Sequence, residues 1–176
     1  MASVFDVANF FIDTVNKTYD DFITNLKLNK LLYYAQGAFL ARTERVLFVE
    51  HIEAWRLGPV VPEVYRKYSV CGGNPITHVD RDYTSDVFSP DELEVLTDVM
   101  REVGQYTGGT LVSMTHKPNT PWSQTARGNR ISAGLIKDFF KEHPIPRFNM
   151  NNIETVSVLP KDWYDPEEDA EWEEYL

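Results

Sequence analysis

The stretch LKLNKLLYYAQGAFLA, Leu26 to Ala41, followed by IEAWRLGPVVPEVY, Ile52 to Tyr65, decides how this chain folds. At about 100° per residue, Leu28, Leu31, Leu32, Ala35 and Phe39 fall on one stripe of a helix. Leu26, Tyr33, Gly37 and Leu40 form a second stripe well round the cylinder. A helix apolar on two sides is packed on both and belongs at the centre of a domain. Asn29 and Gln36 lie between the stripes, where an amide has to find hydrogen-bond partners, so both read as buried and paired. Lys27, Lys30 and Tyr34 share the remaining face, which the pattern predicts to be solvated.

The second stretch changes period. Val46 to Phe48 and Ile52 to Trp55 are short β-prone runs separated by Val49, Glu50 and His51, which predicts a hairpin between them. Gly58-Pro59 should stop the second run. Pro62, whose missing N–H is harmless in a first helical turn, should start a helix carrying Val61, Val64, Tyr65 and Tyr68 that ends at Gly72-Gly73. Trp55 then points to the core, with Glu53 pairing Arg56 or Arg66. Helix starts recur elsewhere: Ser3 with Asp6, and Ser89-Pro90-Asp91-Glu92, a cap followed by proline and acids. Thr107, Thr120 and Ser132 predict caps for helices at about 108–115, 121–127 and 132–142, and Val156 and Val158 suit a short strand at 153–159. The expected fold is mainly α (α+β), one compact domain of six to seven helices around a central buried helix, with a small antiparallel β-hairpin.

LKLNKLLYYAQG, LFVEHIEAW and GPVVPEVY together resemble the Panacea domain, the SocA-like antitoxin family of bacterial and phage toxin–antitoxin pairs. LVSMTHKPNTPW, Leu111 to Trp122, resembles that family's C-terminal element, in which a Thr-His pair precedes Pro-Trp. Asn29 departs from it, standing where many relatives have Gln. The resemblance covers residues 3 to 142, so residues 1–142 are expected to form the Panacea-like domain and 143–176 a C-terminal extension. It implies neutralisation of a cognate protein toxin encoded nearby, by direct contact, sometimes with delivery to an AAA+ protease. It implies no catalysis and no cofactor.

Composition agrees with a cytoplasmic domain of this kind. With 176 residues, 43% hydrophobic and 13% aromatic, the chain can bury a full core without a staple. The single cysteine, Cys71, excludes an internal disulfide and the paired-cysteine zinc spacings. The first residues, MASVFDVANFFIDTVN, carry acids and no basic leader, so neither a secretory signal nor a membrane span is expected. A pI near 4.8 opposes phosphate binding. Lys27 with Lys30, Arg66-Lys67, and Arg127 with Arg130 are basic pairs, but no basic recognition helix is visible, so direct DNA binding is not expected.

The candidate catalytic chemistry is thin. His51, His78, His116 and His143 match no metal-ligand spacing, and neither a Walker motif, GxSxG nor GxGxxG occurs. The alternative from another class is a hydrolase or transferase using His116 with a nearby carboxylate; the plainer reading of His116 is a loop histidine bonded to a helix end. The expected toxin-binding surface combines Lys27, Lys30 and Tyr34, the loop after Trp55 with Arg56 and Gly58, and the segment His116 to Trp122, because Arg, Tyr and Trp are favoured interface anchors.

Charge is concentrated at the C-terminus. The last 15 residues, DWYDPEEDAEWEEYL, hold eight of the 27 acids and no base, which leaves 19 acids against 17 bases elsewhere. Asp165-Pro166-Glu167-Glu168 reads as a helix start that would put Trp172, Tyr175 and Leu176 on one face. With Trp163, this is an acidic-aromatic arm suited to a basic surface on a toxin; a solvated tail and docking onto the chain's own domain are the alternatives.

Overall fold

The structure is a computed structural model that describes residues 2–19 and 23–148. It is mainly helical with one small two-stranded antiparallel sheet. Helix α1 spans Val4–Thr14 and continues into a wide π turn, Val15–Tyr19. Ser3 and Asp6 form a reciprocal capping box that satisfies two N-terminal amides. Helix α2, Asn25–Thr43, starts at Thr24, whose hydroxyl accepts from the Lys27 amide. Every residue from Asn25 to Leu40 is buried. The reason is architectural: α1, α3 (Pro62–Tyr68), α4 (Pro90–Glu102), α5 (Gly108–Thr115) and α6 (Ala133–Glu142) all pack on α2.

That arrangement overturns the expected solvated face. Lys27 and Lys30 are 1% and 0% exposed, and Tyr34 is 8% exposed. A helix surrounded on all sides has no wet stripe, so its lysines must find partners inside. Lys27 Nζ donates to the Gly104 carbonyl at 2.8 Å and Lys30 Nζ to the Pro59 carbonyl at 3.1 Å. Tyr34 lies edge-on to Tyr33 and Phe140. The amides behave as their positions predict. Asn29 accepts from the Val61 amide at 2.9 Å, and Gln36 accepts from Leu47 N at 2.7 Å while donating to Phe48 O at 2.8 Å.

The hairpin lies one segment later than the β-prone runs suggest. Strand β1 is Glu53–Trp55 and β2 is Gly58–Val60, paired Trp55 with Gly58 across the two-residue turn Arg56-Leu57. Gly58 has φ +110°, a left-handed conformation that suits glycine, so Gly58-Pro59 belongs to the sheet instead of ending it. Leu47 and Phe48, by contrast, have their backbone polar groups taken by Gln36 and form no strand. Glu53 pairs with His51 at 2.9 Å and with the Trp55 indole N–H at 2.7 Å, not with Arg56 or Arg66, and Trp55 is only half-buried.

Helices α4, α5 and α6 begin at Ser89, Thr107 and Ser132, as their capping residues predict. The expected helix at 121–127 is a run of turns. Gln124 N donates to Thr120 O at 3.2 Å with helical i to i+4 spacing, but the Trp122 carbonyl then accepts from the Thr125 amide at 3.2 Å and from the Arg127 guanidinium at 3.1 Å, so the ladder does not continue. After α6, buried Asp98 on α4 binds Arg42, Arg101 and the Phe148 amide, which holds the chain against α4 as far as residue 148. The expected strand at 153–159 and the acidic arm lie outside the described residues. Among the described residues no helix is long and apolar enough to cross a membrane.

Candidate functional site

The hairpin turn and the loop after α5 meet on one side of α2. The outer edge of β1 carries a second set of backbone bonds, from Ala54 N to Asn129 O at 2.9 Å and from Gly128 N to Ala54 O at 2.8 Å. This pairing brings Arg127 and Gly128 beside Trp55. Thr120, almost fully buried, donates to the Thr115 carbonyl at 2.7 Å and fixes the bend that leads from α5 to Trp122. The Trp122 indole N–H then donates to the Trp55 carbonyl at 2.6 Å.

The result is a layered stack. The His116 imidazole lies parallel to the Trp122 ring with centroids 3.7 Å apart and planes 8° apart. The Arg127 guanidinium carbon lies 3.5 Å from the Trp122 ring centroid. Trp55 meets Tyr65 edge-on at 4.8 Å. Between these side chains runs a groove of volume ≈ 580 Å³, lined by Trp55, Arg56, Trp122, Arg127 and Gly128.

Beneath the groove, burial weakens the charge of the basic groups. Burial lowers the Lys30 ammonium pKa to about 7. His116 is pushed down by burial first, then by Lys30 and Arg127, so its neutral form is favoured. Its backbone N–H donates to Val112 O at the end of α5, as a helix-end histidine should, but its ring Nε2 is buried with no hydrogen-bond partner among the described residues. Among the described residues no carboxylate is hydrogen-bonded to this nitrogen. Glu53, shifted up by burial, is drawn lower overall by hydrogen bonds from Trp55 and His51 and stays a carboxylate engaged with its own strand. Among the described residues no group of three or more His, Cys, Asp or Glu could hold a metal ion.

Of the residues expected at the surface, Arg56 is exposed and His116 and Trp122 are half-buried at the groove. Gly58 and Lys30 are buried beneath the hairpin turn, while Lys27 and Tyr34 are buried elsewhere on α2, against Gly104 and against Tyr33 and Phe140. A Cβ at Gly58 would fall 2.7 Å from Lys30 Cε and 2.8 Å from Thr115 Oγ1, so Lys30 and Thr115 back the turn directly. Arg127 and Trp55 were not expected in the surface patch. Trp122 and Arg127 are five residues apart in a turn, a spacing with no helical or strand meaning, so only the Trp–guanidinium affinity hinted at their contact. The tail residues Trp163, Glu167, Glu168, Trp172 and Tyr175 lie outside the described residues.

A known family and a known protein are similar to this chain in sequence. The family model described as "Antitoxin SocA-like, Panacea domain" matches residues 28–123, more than half of the chain. Antitoxin SocA of Caulobacter vibrioides (strain NA1000 / CB15N) is 35% identical over 163 residues, covering 88% of this chain and 86% of that protein. No solved structure matches the chain significantly. The matched interval runs from Leu28 in the central helix to one residue past Trp122, and so contains Lys30, Trp55, Arg56, Gly58, His116 and Trp122.

Proposed function

We propose, since this chain belongs to the antitoxin SocA-like, Panacea domain family, that it is an antitoxin that neutralises a cognate protein toxin, encoded nearby, by direct and non-catalytic binding. The observation that carries this reading is the family match, which contains Trp55, Arg56 and Trp122 of the aromatic-cationic groove; Arg127 and Gly128 complete the groove just beyond it. The contact face is the Arg56 turn with Trp55, Trp122 and Arg127, of the residue types that dominate interface hot spots. Lys30 and Gly58 shape that face from behind, His116 supports Trp122 by stacking on it, and Lys27 and Tyr34, buried elsewhere on α2, leave the contact surface. The acidic arm at 162–176, with Trp163, Glu167, Glu168, Trp172 and Tyr175, steers the chain toward a basic surface of the toxin. Transfer of the toxin to an AAA+ protease would use the same complex. No cofactor and no membrane enter this function, and direct DNA binding is not expected.

Co-expression and pull-down with the product of the adjacent reading frame test the reading. A stable complex and restored growth are expected. Arg56→Glu should weaken the complex about tenfold or more without unfolding the chain, because a reversed charge at the rim of an anchor cluster costs affinity and leaves the core alone. His116→Ala should keep neutralisation whenever the chain stays folded. A turnover of nucleotides, peptides or esters that His116→Ala abolishes at unchanged Tm would replace the antitoxin by the enzyme.

A further inference from the structure

Trp122 is the middle layer of a three-part sandwich. The His116 imidazole centroid lies 3.7 Å from the Trp122 ring centroid with the planes 8° apart, and the Arg127 guanidinium carbon lies 3.5 Å from the same ring centre. Two flat groups this close to one centroid are already at van der Waals contact with it and cannot share a face, so imidazole and guanidinium cover opposite faces of the indole. Arg127 is pinned by a hydrogen bond to the Trp122 carbonyl at 3.1 Å, and the indole N–H by its bond to the Trp55 carbonyl at 2.6 Å. The ring is held at its edge and on both faces. A disturbance of the imidazole layer therefore reaches the Trp122 to Trp55 link directly.

Charge decides when the imidazole layer fits. A neutral imidazole stacks readily on an indole whose other face already carries a cation. An imidazolium in the same place would set a second positive charge across the ring from Arg127 and near Lys30, in surroundings that burial makes poorly solvating. Lys30 from α2 and Arg127 from the turn both act on the ring, and after burial they are what lowers its pKa. The other basic groups of this corner, Arg56 on the hairpin turn and Lys117 next in the chain, offer no acceptor. Glu53, the carboxylate of β1, is engaged by His51 and the Trp55 N–H, and among the described residues nothing is hydrogen-bonded to His116 Nε2. As pH falls Lys30 gains its charge first, near about 7, so the imidazole titrates beside an ammonium already formed.

We propose that the His116, Trp122 and Arg127 sandwich is a proton-operated switch: with His116 neutral it holds Trp122 against the hairpin, and protonation of His116 releases the indole from its stack and from the Trp55 carbonyl. The switch is a property of this chain alone and does not depend on the antitoxin reading. A released imidazole titrates near about 6.5 and the stacked one below that value, so the closed form binds fewer protons. The closed form is fully favoured above about 6.5, and that preference is lost as pH falls through the lowered value.

The test is an NMR titration of the full chain from about pH 8 to about pH 5, following the imidazole of His116 and the indole N–H of Trp122, the latter identified by Trp122→Phe. The two signals should move together with one midpoint below about 6.5, while the methyl groups of Leu28 and Leu31 on α2 stay in place. His116→Phe, which keeps a flat ring that cannot titrate, should abolish the Trp122 step. Arg127→Gln should move the His116 midpoint upward, a shift that a purely structural histidine would not show. Should His116→Phe fail to fold, loss of the step in His116→Gln carries the same decision. A Trp122 signal indifferent to the His116 titration, a His116 midpoint at or above about 6.5, or the same step in the His116 variants overturns the proposal. So does movement of the α2 methyl groups in concert with Trp122, which would make the event acid unfolding of the whole chain.

Discussion

Lys30 is a buried ammonium in the centre of the molecule, and its cost depends on pH. Unfolded, a lysine titrates near about 10.4; folded, burial lowers Lys30 to about 7. Between these values the unfolded chain holds more protons than the folded one, so stability should rise with pH through this window. The penalty is fully present below the folded value. Tyr33, Tyr34 and Tyr68, all raised by burial, titrate above this range and act in the opposite sense, so pH 7 to about 9 is the clean interval. Denaturation of Lys30→Met across that interval should give a flatter stability profile than the parent. An equal slope in both would assign the pH dependence to other groups. Lys30 also shows what a residue's identity hides: a lysine on a helical wheel reads as wet, and only the packing of α5 and the hairpin around α2 places its head against Pro59 and beneath His116.

At the level of elements, α2 and α6 are in close contact where Gly37 faces Phe140. A Cβ at Gly37 would stand 2.1 Å from Phe140 Cδ2, and that ring is 1% exposed. Gly37→Ala gains up to about 1 kcal/mol of helix propensity, but overpacking a buried ring costs roughly 1 to 3 kcal/mol. The clash should win, giving net destabilisation by urea denaturation, with partial relief in the Gly37→Ala, Phe140→Leu double variant. Gly134→Ala on α6 is the contrast, since its Cβ would meet only Ser132 Oγ at 3.5 Å, and it should be neutral or slightly stabilising. Leu32→Ala, on the buried stripe of α2, should cost roughly 2 to 5 kcal/mol; a loss under about 1 kcal/mol is what a surface position gives and would contradict the central placement of α2. The capped helices were legible because a cap and its amides are neighbours in sequence. Hairpin register was not: β-prone runs at 46–48 and 52–55 looked like partners, yet Gln36, a residue of another element, takes the backbone groups of the first run.

Over the whole molecule, charge is divided between a nearly neutral body and an acidic terminus. If that terminus steers a basic toxin surface, deleting residues 162–176 should leave the fold intact and slow association, with the difference shrinking as salt rises, because the Debye length falls from about 10 Å at 0.1 M to about 3 Å at 1 M. Stopped-flow rates against ionic strength decide it. Equal rates and parallel salt dependence would reduce the segment to a solubilising tail, while loss of folding on truncation would show that it docks on its own domain.

What the sequence determined by itself was local or repetitive: the apolar stripes of Leu26 to Ala41, the caps at Ser3, Ser89, Thr107 and Ser132, the buried role of Asn29 and Gln36, and the family kinship carried by a handful of short motifs. Each of these is written in residues a few positions apart, or in a period that one helix imposes. The tertiary structure alone decided that α2 has no side facing water from Asn25 to Leu40, since burial of Lys27, Lys30 and Tyr34 depends on α4, α5, α6 and the hairpin closing around them. It alone assembled the groove, because Trp55 and Trp122 are joined across 67 residues by one hydrogen bond, and Arg127 reaches them only when the 128–131 segment pairs with the outer edge of β1. Contacts between distant segments are set by how the elements pack, and no window of neighbouring residues contains that information.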